Sequence, residues 1–368
     1  MGKFLIITTI LAILIPMMIF VSSCSERAQN NVDEGHATMY IIRNDDDIRI
    51  VTRYNENFDL INRFRKMGGN NVFNISSPML VARGENLSDV QLANAAHING
   101  ADLGESDWFG PYIVQAIDNI DGTSPQSMHF TGGNHEYTNS GYGGTPTART
   151  DNIQMRINGQ LITNDFRGYA DNIEISWSNY IQATNTKKAD GSGREVMRED
   201  YIVTINKQSP GGLAMMSDGM AMEIEHRIEF FEDVQIVTYY GLQAVHNAWA
   251  GEVQFEYGNT DDGIFQTQWQ DVYRKQVGTR EPNGSAVFLR NNNHALIMNL
   301  DLTWGIGDRR YLNERPLTEF SRYSIFTAGW NKTYFNLINH QEFSAGTIDG
   351  WRGSIQFRYW PPFVELGE

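Results

Sequence analysis

The chain has 368 residues, of which 41% are hydrophobic, a single cysteine and a formal net charge of −15 at pH 7. Hydrophobic content at this level excludes an intrinsically disordered chain. The acidic balance indicates that nucleic acid is not a partner, because the two would repel each other. Without cysteine pairs, the fold must be stabilised by an apolar core.

The first residues have the pattern of a targeting signal. Lys3 precedes an apolar run at residues 4–21, and small residues lead to Cys24. This pattern resembles the lipobox of bacterial lipoproteins, which implies cleavage before Cys24 and attachment of lipid to its thiol. The alternative is an ordinary transmembrane anchor, for which the run is just long enough. We therefore expect a signal peptide at residues 1–23, a polar tether at 24–37 and one large domain at 38–368.

Short segments of strand character follow, separated by turns. Residues 58–66 differ, since Phe58, Ile61 and Phe64 lie at helical or irregular spacing. Strands recur without sustained helices between them, and no internal repeat is evident. The sequence therefore predicts an all-β fold, a large antiparallel β-sandwich of jelly-roll or supersandwich type with long loops. The predicted strands cover residues 39–43, 48–54, 72–75, 112–117, 152–157, 160–163, 170–183, 201–206, 220–231, 234–242, 253–257, 286–289, 295–304, 323–326, 333–337 and 354–360.

A lipobox followed by a long cysteine-free β-domain rich in Trp, Tyr and Asn resembles the surface lipoproteins of bacterial polysaccharide-utilisation systems. Length and strand density also resemble the β-sandwiches of galactose-mutarotase-like proteins and of some polysaccharide lyases. The resemblance implies a lipid-anchored protein of a Gram-negative cell envelope, at the outer membrane or cell surface, whose partner is a polysaccharide or oligosaccharide. It is architectural and includes no motif of a named family, so no catalytic residue is transferred with it.

A glycine-rich stretch at residues 129–150 is the first candidate site. It holds five glycines, which permit positive φ and close approach of the backbone to other groups. His135 could act as a general base near neutral pH, and Arg149 could bind a carboxylate through two hydrogen bonds. Tyr142 could transfer a proton. The alternative is a surface loop in which His135 only hydrogen-bonds to backbone.

A second candidate lies in the alternating segment at residues 222–230. His226 falls on its apolar face, where a histidine is more often a core residue than a catalytic one. The opposite face is polar enough to line a groove, and it carries Glu223, Glu225, Arg227 and Glu229. The following segment offers Tyr239, Tyr240, His246 and Trp249. We expect the glycine-rich stretch to be a functional site only if it lies close to these segments in the folded protein.

Other site types find less support in the sequence. Asn299 and Asp301 share one face of a predicted strand, which is either solvated or sugar-binding. Residues 118–125 lack the acidic spacing of a calcium loop, and no HExxH, Walker or GxSxG motif is present. We therefore expect no metal and no cofactor.

These observations predict a surface-anchored, carbohydrate-active protein, with a lyase-like enzyme favoured over a glycoside hydrolase. β-Elimination from a uronate needs a base for the C5 proton, a cation at the carboxylate and an acid for the leaving oxygen. The catalytic candidates are His135 or Tyr240 as base, Arg149 as the cation, and Tyr142 or Tyr239 as acid, with His226 as a further candidate. The substrate-binding candidates are Trp108, Asn134, Tyr137, His246 and Trp249. The alternatives are a non-catalytic glycan-binding lipoprotein, with Trp108, Tyr142 and Trp249 as its stacking platform, and a purely structural surface protein.

Overall fold

The computed structural model describes most of the chain beyond residue 38. The described residues are 39–76, 78–83, 96–97, 107–118, 129–137, 144–187, 193–206, 220–245, 252–260, 263–266, 270–271, 277–279, 284–291, 293–312, 325–328 and 332–359. The predicted signal, tether and lipidation site at Cys24 lie outside these residues, as do Tyr142, His246 and Trp249. Within the described ranges, no helix is long and apolar enough to cross a membrane.

The described residues form strands almost throughout, with one short helix, α1 (Ile306–Arg309). The strands are β1 (Met39–Asn44), β2 (Asp47–Arg53), β3 (Phe58–Met67), β4 (Val72–Ile75), β5 (Met79–Ala82), β6 (Ala96–His97), β7 (Tyr112–Ala116), β8 (Ala148–Ile157), β9 (Gln160–Ile162), β10 (Phe166–Ala170), β11 (Asn172–Lys187), β12 (Gly193–Asn206), β13 (Met220–Phe230), β14 (Val234–Val245), β15 (Glu252–Thr260), β16 (Gly263–Gln266), β17 (Gln270–Asp271), β18 (Val277–Thr279), β19 (Gly284–Asn291), β20 (His294–Leu300), β21 (Tyr311–Leu312), β22 (Ile325–Ala328), β23 (Lys332–Phe343) and β24 (Ile348–Tyr359).

These strands build three sheets. An eleven-stranded sheet has the order β16-β15-β19-β20-β24-β13-β12-β11-β8-β9, with β17 beside β15. A six-stranded sheet has the order β18-β22-β23-β14-β7, with β21 beside β23, and a seven-stranded sheet has the order β10-β1-β2-β3-β5-β6, with β4 beside β3. All strand pairs are antiparallel except β21 with β23. The fold class is therefore the all-β sandwich that the sequence predicts.

The main core is one cluster of buried apolar residues to which all three sheets contribute. In β13, residues alternate between buried and accessible, as the sequence predicts, and Ile224 and Ile228 face inward. Contacts between the sheets include the stacked rings of Phe230 and Phe343, 4.6 Å apart, and an edge contact of Trp108 with Phe357. The polar residues that alternate with these apolar ones in β13 therefore lie on the accessible face of the eleven-stranded sheet.

Strand β3 corrects the sequence analysis, which gave residues 58–66 helical or irregular spacing. Leu60 and Phe64 face the main core, whereas Ile61 packs on the opposite face of the sheet. There it joins a small second cluster with Ile42, Val51 and Val81. A strand buried on both faces loses its alternation of apolar and polar residues, so its period cannot be recognised from sequence.

Candidate functional site

The glycine-rich stretch begins with a tight turn beside the edge of the six-stranded sheet, where Thr131 pairs with Tyr112 of β7. Gly132 and Gly133 have φ of +74° and +48°, in the left-handed region that favours glycine. At Gly133, a Cβ atom would collide with the carboxylate of Asp107. The expectation that glycines set the backbone before His135 is therefore confirmed, and the turn also brings a carboxylate to this backbone.

A buried amide fixes this turn. The Asn70 side chain is only 4% exposed, and its Nδ2 lies 2.9 Å from the carbonyl oxygens of both Gly133 and His135. Its Oδ1 accepts a hydrogen bond from the Thr147 backbone N–H at 2.7 Å. Asn70 thus ties both ends of the stretch to the turn between β3 and β4, and it holds the His135 backbone in place.

His135 forms a pair with Asp107. Its Nε2 lies 3.2 Å from Oδ2 of Asp107, and the two side chains are 36% and 2% exposed respectively. The other carboxylate oxygen, Oδ1, accepts a hydrogen bond from the Asn134 backbone N–H. Asp107 is thus a buried carboxylate that is fixed by the backbone and lies at ion-pair distance from an imidazole that remains open to solvent.

Aromatic and basic side chains surround this pair. The Phe130 ring lies 5.3 Å from the His135 ring and 6.0 Å from the Tyr240 ring, measured between centroids. Tyr240 in turn lies 4.8 Å from Tyr334. Lys332 begins β23, and the Asp107 carboxylate interacts electrostatically with its ammonium group. We refer to His135, Asp107, Phe130, Tyr240, Lys332 and Tyr334 as the His135 centre.

Burial raises the pKa values of the two tyrosines in this centre and lowers that of the lysine. It raises the pKa of Tyr240 to about 12, and it raises the pKa of Tyr334 well above the ordinary tyrosine value. Both phenols are therefore protonated at neutral pH and can donate. Burial lowers the pKa of Lys332, which the neighbouring Asp107 carboxylate opposes. A second carboxylate brought by a ligand would favour the charged ammonium further.

The two ring nitrogens of His135 differ in their surroundings. Nε2 faces the Asp107 carboxylate, whereas Nδ1 lies on the other side of the ring. In a neutral imidazole, one of the two nitrogens carries the lone pair that takes a proton. Together with a protonated tyrosine, this is the minimal equipment for general base and general acid catalysis.

Other residues predicted in this region have different roles. Tyr137 is fully buried, and its hydroxyl donates to the Ala183 carbonyl at 2.8 Å. Trp108 is 1% exposed and packs in the core, which corrects its assignment to a sugar-stacking platform. Asn134 adjoins His135, and its side chain lies against Gly68.

Arg149 is held away from the centre by acidic partners. Its Nε donates to Glu195 at 2.7 Å, a second nitrogen lies 3.5 Å from Asp151, and its guanidinium covers the Tyr180 ring at 4.0 Å. Within the described residues, no contact links Arg149 with His135. The cation that the centre itself contains is Lys332.

His226 and Tyr239 belong to a sealed network between the eleven-stranded and six-stranded sheets. Both are 0% exposed. His226 lies 3.3 Å from the Tyr112 hydroxyl and 3.4 Å from both Glu199 Oε2 and the Tyr239 hydroxyl, and Trp351 donates to Tyr239 at 2.7 Å. A polymer cannot reach side chains in this position. This corrects their assignment as catalytic candidates, and the network is assigned to the core.

The sequence analysis missed Asp107, Lys332, Tyr334 and Asn70. They come from three separate segments of the chain, and no motif links them, so only the folded chain shows that they converge. Of the segments expected to meet the glycine-rich stretch, β14 does so through Tyr240. The glutamates of β13 do not, since they face away from β14. Among the described residues, no group of three or more His, Cys, Asp or Glu side chains is arranged to hold a metal ion.

Comparison with known proteins adds limited information. No protein-family model and no curated protein matches the chain. The chain is similar in structure to the alpha-galactosidase from Lactobacillus brevis, with 9% identity and a TM-score of 0.40 over 86% of this chain and 40% of that one. It is also similar to the galactosidase domain of an alpha-galactosidase–sucrose kinase, with 10% identity and a TM-score of 0.37 over 87% and 42% of the two chains.

A third similar structure is a variant of the GH36 alpha-galactosidase AgaA from Geobacillus stearothermophilus in complex with stachyose. It has 8% identity and a TM-score of 0.37, over 88% of this chain and 41% of that one. The chain thus spans about two fifths of the length of these proteins. At such TM-scores the likeness carries no functional argument, and the activity of these enzymes is not transferred to the chain.

Proposed function

We propose that the protein is a polysaccharide lyase-like enzyme that cleaves a uronate-containing glycan by β-elimination at the His135 centre. One observation carries the proposal. The buried carboxylate of Asp107 holds the half-exposed imidazole of His135 in the same centre as a protonated Tyr240 and the Lys332 ammonium. A base, an acid and a cation are the three groups that this reaction needs.

The reaction balances with these groups alone. His135 takes the proton from C5 of the uronate, and the electron pair of that C–H bond forms the double bond between C4 and C5. The bond from C4 to the glycosidic oxygen breaks, and this oxygen receives a proton from Tyr240. Lys332 faces the uronate carboxylate and stabilises the negative charge that develops on it.

Two assignments from the sequence change under this proposal. Tyr240, with a pKa of about 12, is an acid and not a base, because it keeps its proton at neutral pH. Lys332 takes the place of Arg149, whose guanidinium is bound by Glu195. The lipid anchor at Cys24 and a position on the outer membrane remain part of the proposal, since they would display the domain to extracellular polysaccharide.

The proposal can be tested with a panel of uronate polysaccharides. The purified protein should generate ultraviolet absorbance from an unsaturated product, and the masses of the products should contain no added water. Y240F should lower kcat by about 10²-fold or more, since it removes the proton donor. E174Q is the matched control, because Glu174 lies on the surface in a 3.6 Å pair with Arg156 and should leave kcat unchanged.

Two results would contradict the proposal. Products that contain an added water molecule would show hydrolysis in place of elimination. Retention on a polysaccharide affinity gel without any product would favour the non-catalytic glycan-binding protein instead.

A further inference from the structure

A second concave surface lies on the eleven-stranded sheet, on the face that carries Glu223 and Glu225. It has a volume of about 480 Å³, within the range of small-molecule sites. It is formed by four adjacent strands, β12, β13, β24 and β20. We call it the sheet groove, and its polar lining residues are Glu223, Glu225, Asn299, Asp301, Arg352 and Ser354.

Strand register places these side chains in two rows across the sheet. Glu223 pairs with Thr204 on one side and with Ser354 on the other, and Ser354 pairs with Asn299. In the next row, Glu225 pairs with Arg352. Strands lie about 4.8 Å apart, so the first row, which crosses four strands, spans roughly 14 Å. This length suits a short oligosaccharide better than a single sugar.

The groups in the rows are held by one another. Arg352 donates to Glu225 at 2.8 Å, and its guanidinium lies 4.5 Å from the centre of the Trp304 ring. Asn299 donates to Ser354 at 3.2 Å. Within the described part of the chain, Glu223 makes no hydrogen bond or ion pair, and its side chain is exposed. A carboxylate in this position is available to accept hydrogen bonds from a ligand.

The charge of the sheet groove determines which ligand it suits. The lining contains three carboxylates and one guanidinium. The groove is therefore negatively charged and repels a uronate. Carboxylates accept hydrogen bonds from hydroxyl groups, while Arg352, Asn299 and Ser354 donate. Paired donors and acceptors along a row are the chemistry that a neutral, hydroxyl-rich chain requires.

We propose that the sheet groove is a binding site for a neutral oligosaccharide, separate from the His135 centre. The two sites share no residue, since none of the side chains of the His135 centre lines the groove. This proposal stands on the lining and charge of the groove and does not depend on lyase activity.

Binding to the full chain, measured by calorimetry and affinity gel electrophoresis, tests the proposal. The probes are neutral oligosaccharides of glucose, galactose, mannose and xylose, with a uronate polymer for comparison. The protein should bind at least one neutral probe, and E223Q and D301N should each weaken that binding roughly tenfold, since each removes a charged acceptor. E229Q is the matched control, because Glu229 lies on the same face of β13 beyond the groove and pairs with Arg198. It should bind as the wild type does.

Three results would contradict a glycan site in the sheet groove. Absence of binding to every neutral probe would overturn the proposal, and so would equal binding by E223Q, D301N and the wild type. Binding of the uronate polymer alone, unchanged in E223Q, would place glycan recognition away from the groove. None of these outcomes bears on elimination at His135, which the test of product formation decides separately.

Discussion

At the scale of single residues, the central feature is the pairing of His135 with Asp107. The glycines before His135 were recognisable in the sequence as the means of fixing its backbone, and the structure confirms their positive φ. Asp107 was not recognisable, because a lone aspartate before an aromatic pair has no pattern that marks it as a partner. The sequence does not show that Asp107 and His135, which belong to different segments, come into contact in the folded chain.

Replacing Asp107 by asparagine should lower kcat by roughly 10²-fold, with little change in KM. Asparagine can still accept from the Asn134 backbone N–H, so the turn should persist, but it no longer stabilises the charged imidazole. Steady-state kinetics on the uronate substrate, with circular dichroism as the check on folding, measures this effect. An unchanged kcat would remove Asp107 from the mechanism.

At the scale of elements, the site depends on a turn that is tied to β3 and β4. Strand pairs with clear alternation, such as β13, were predictable from the pattern of apolar residues alone. The face to which each polar residue belongs was also predictable, since Glu223 and Glu225 lie outward. The distance between these glutamates and the glycine-rich stretch was not predictable, because it depends on which sheet each segment joins.

Asn70 gives a prediction at this scale. N70A should destabilise the fold by about 2 kcal/mol or more, because it leaves the Thr147 N–H and several buried carbonyls of the turn without their partner. It should also lower kcat, since His135 loses its fixed backbone. Denaturant unfolding and kinetics on the same variant measure both effects.

N71G is the control for this variant. Asn71 is exposed and has φ of +52°, so glycine fits its conformation. Equal stability of N70A and N71G would contradict the anchoring role of Asn70.

At the scale of the whole molecule, two sheets are joined through a buried polar network. Glu199 is 2% exposed and accepts hydrogen bonds from Asn179, Tyr112 and Tyr201. His226 completes it. The sequence indicated that His226 faces the core, but the partners that satisfy it come from other strands. The all-β class followed from pattern alone, whereas the division into three sheets depends on long-range pairing that no local pattern encodes.

This network predicts a loss of stability in alkali. Burial raises the pKa values of Tyr112, Tyr201 and Tyr239 above the ordinary value in the folded state. Raised values favour the protonated phenols of the native state, so their contribution is complete below about pH 10 and falls as the pH rises further. The free energy of unfolding should therefore begin to decrease near about pH 10 and continue to fall as the pH rises further.

Denaturant titrations across this pH range measure the effect. Y239F removes one of the titrating groups, so its stability should fall less steeply, by up to about 1.4 kcal/mol per pH unit. A free energy of unfolding that stays constant through this range would show that these phenols are not shielded by the fold.

Chemical rescue of a histidine variant tests the central claim most directly. H135A should lower the rate of unsaturated product formation by about 10²- to 10⁴-fold, and added imidazole should restore part of that rate in proportion to its concentration. The loss caused by Y240F should not respond to imidazole, because its missing group is the acid. A wild-type rate in H135A, or a folded H135A that binds substrate and gains nothing from imidazole, would contradict the role of His135 as the base.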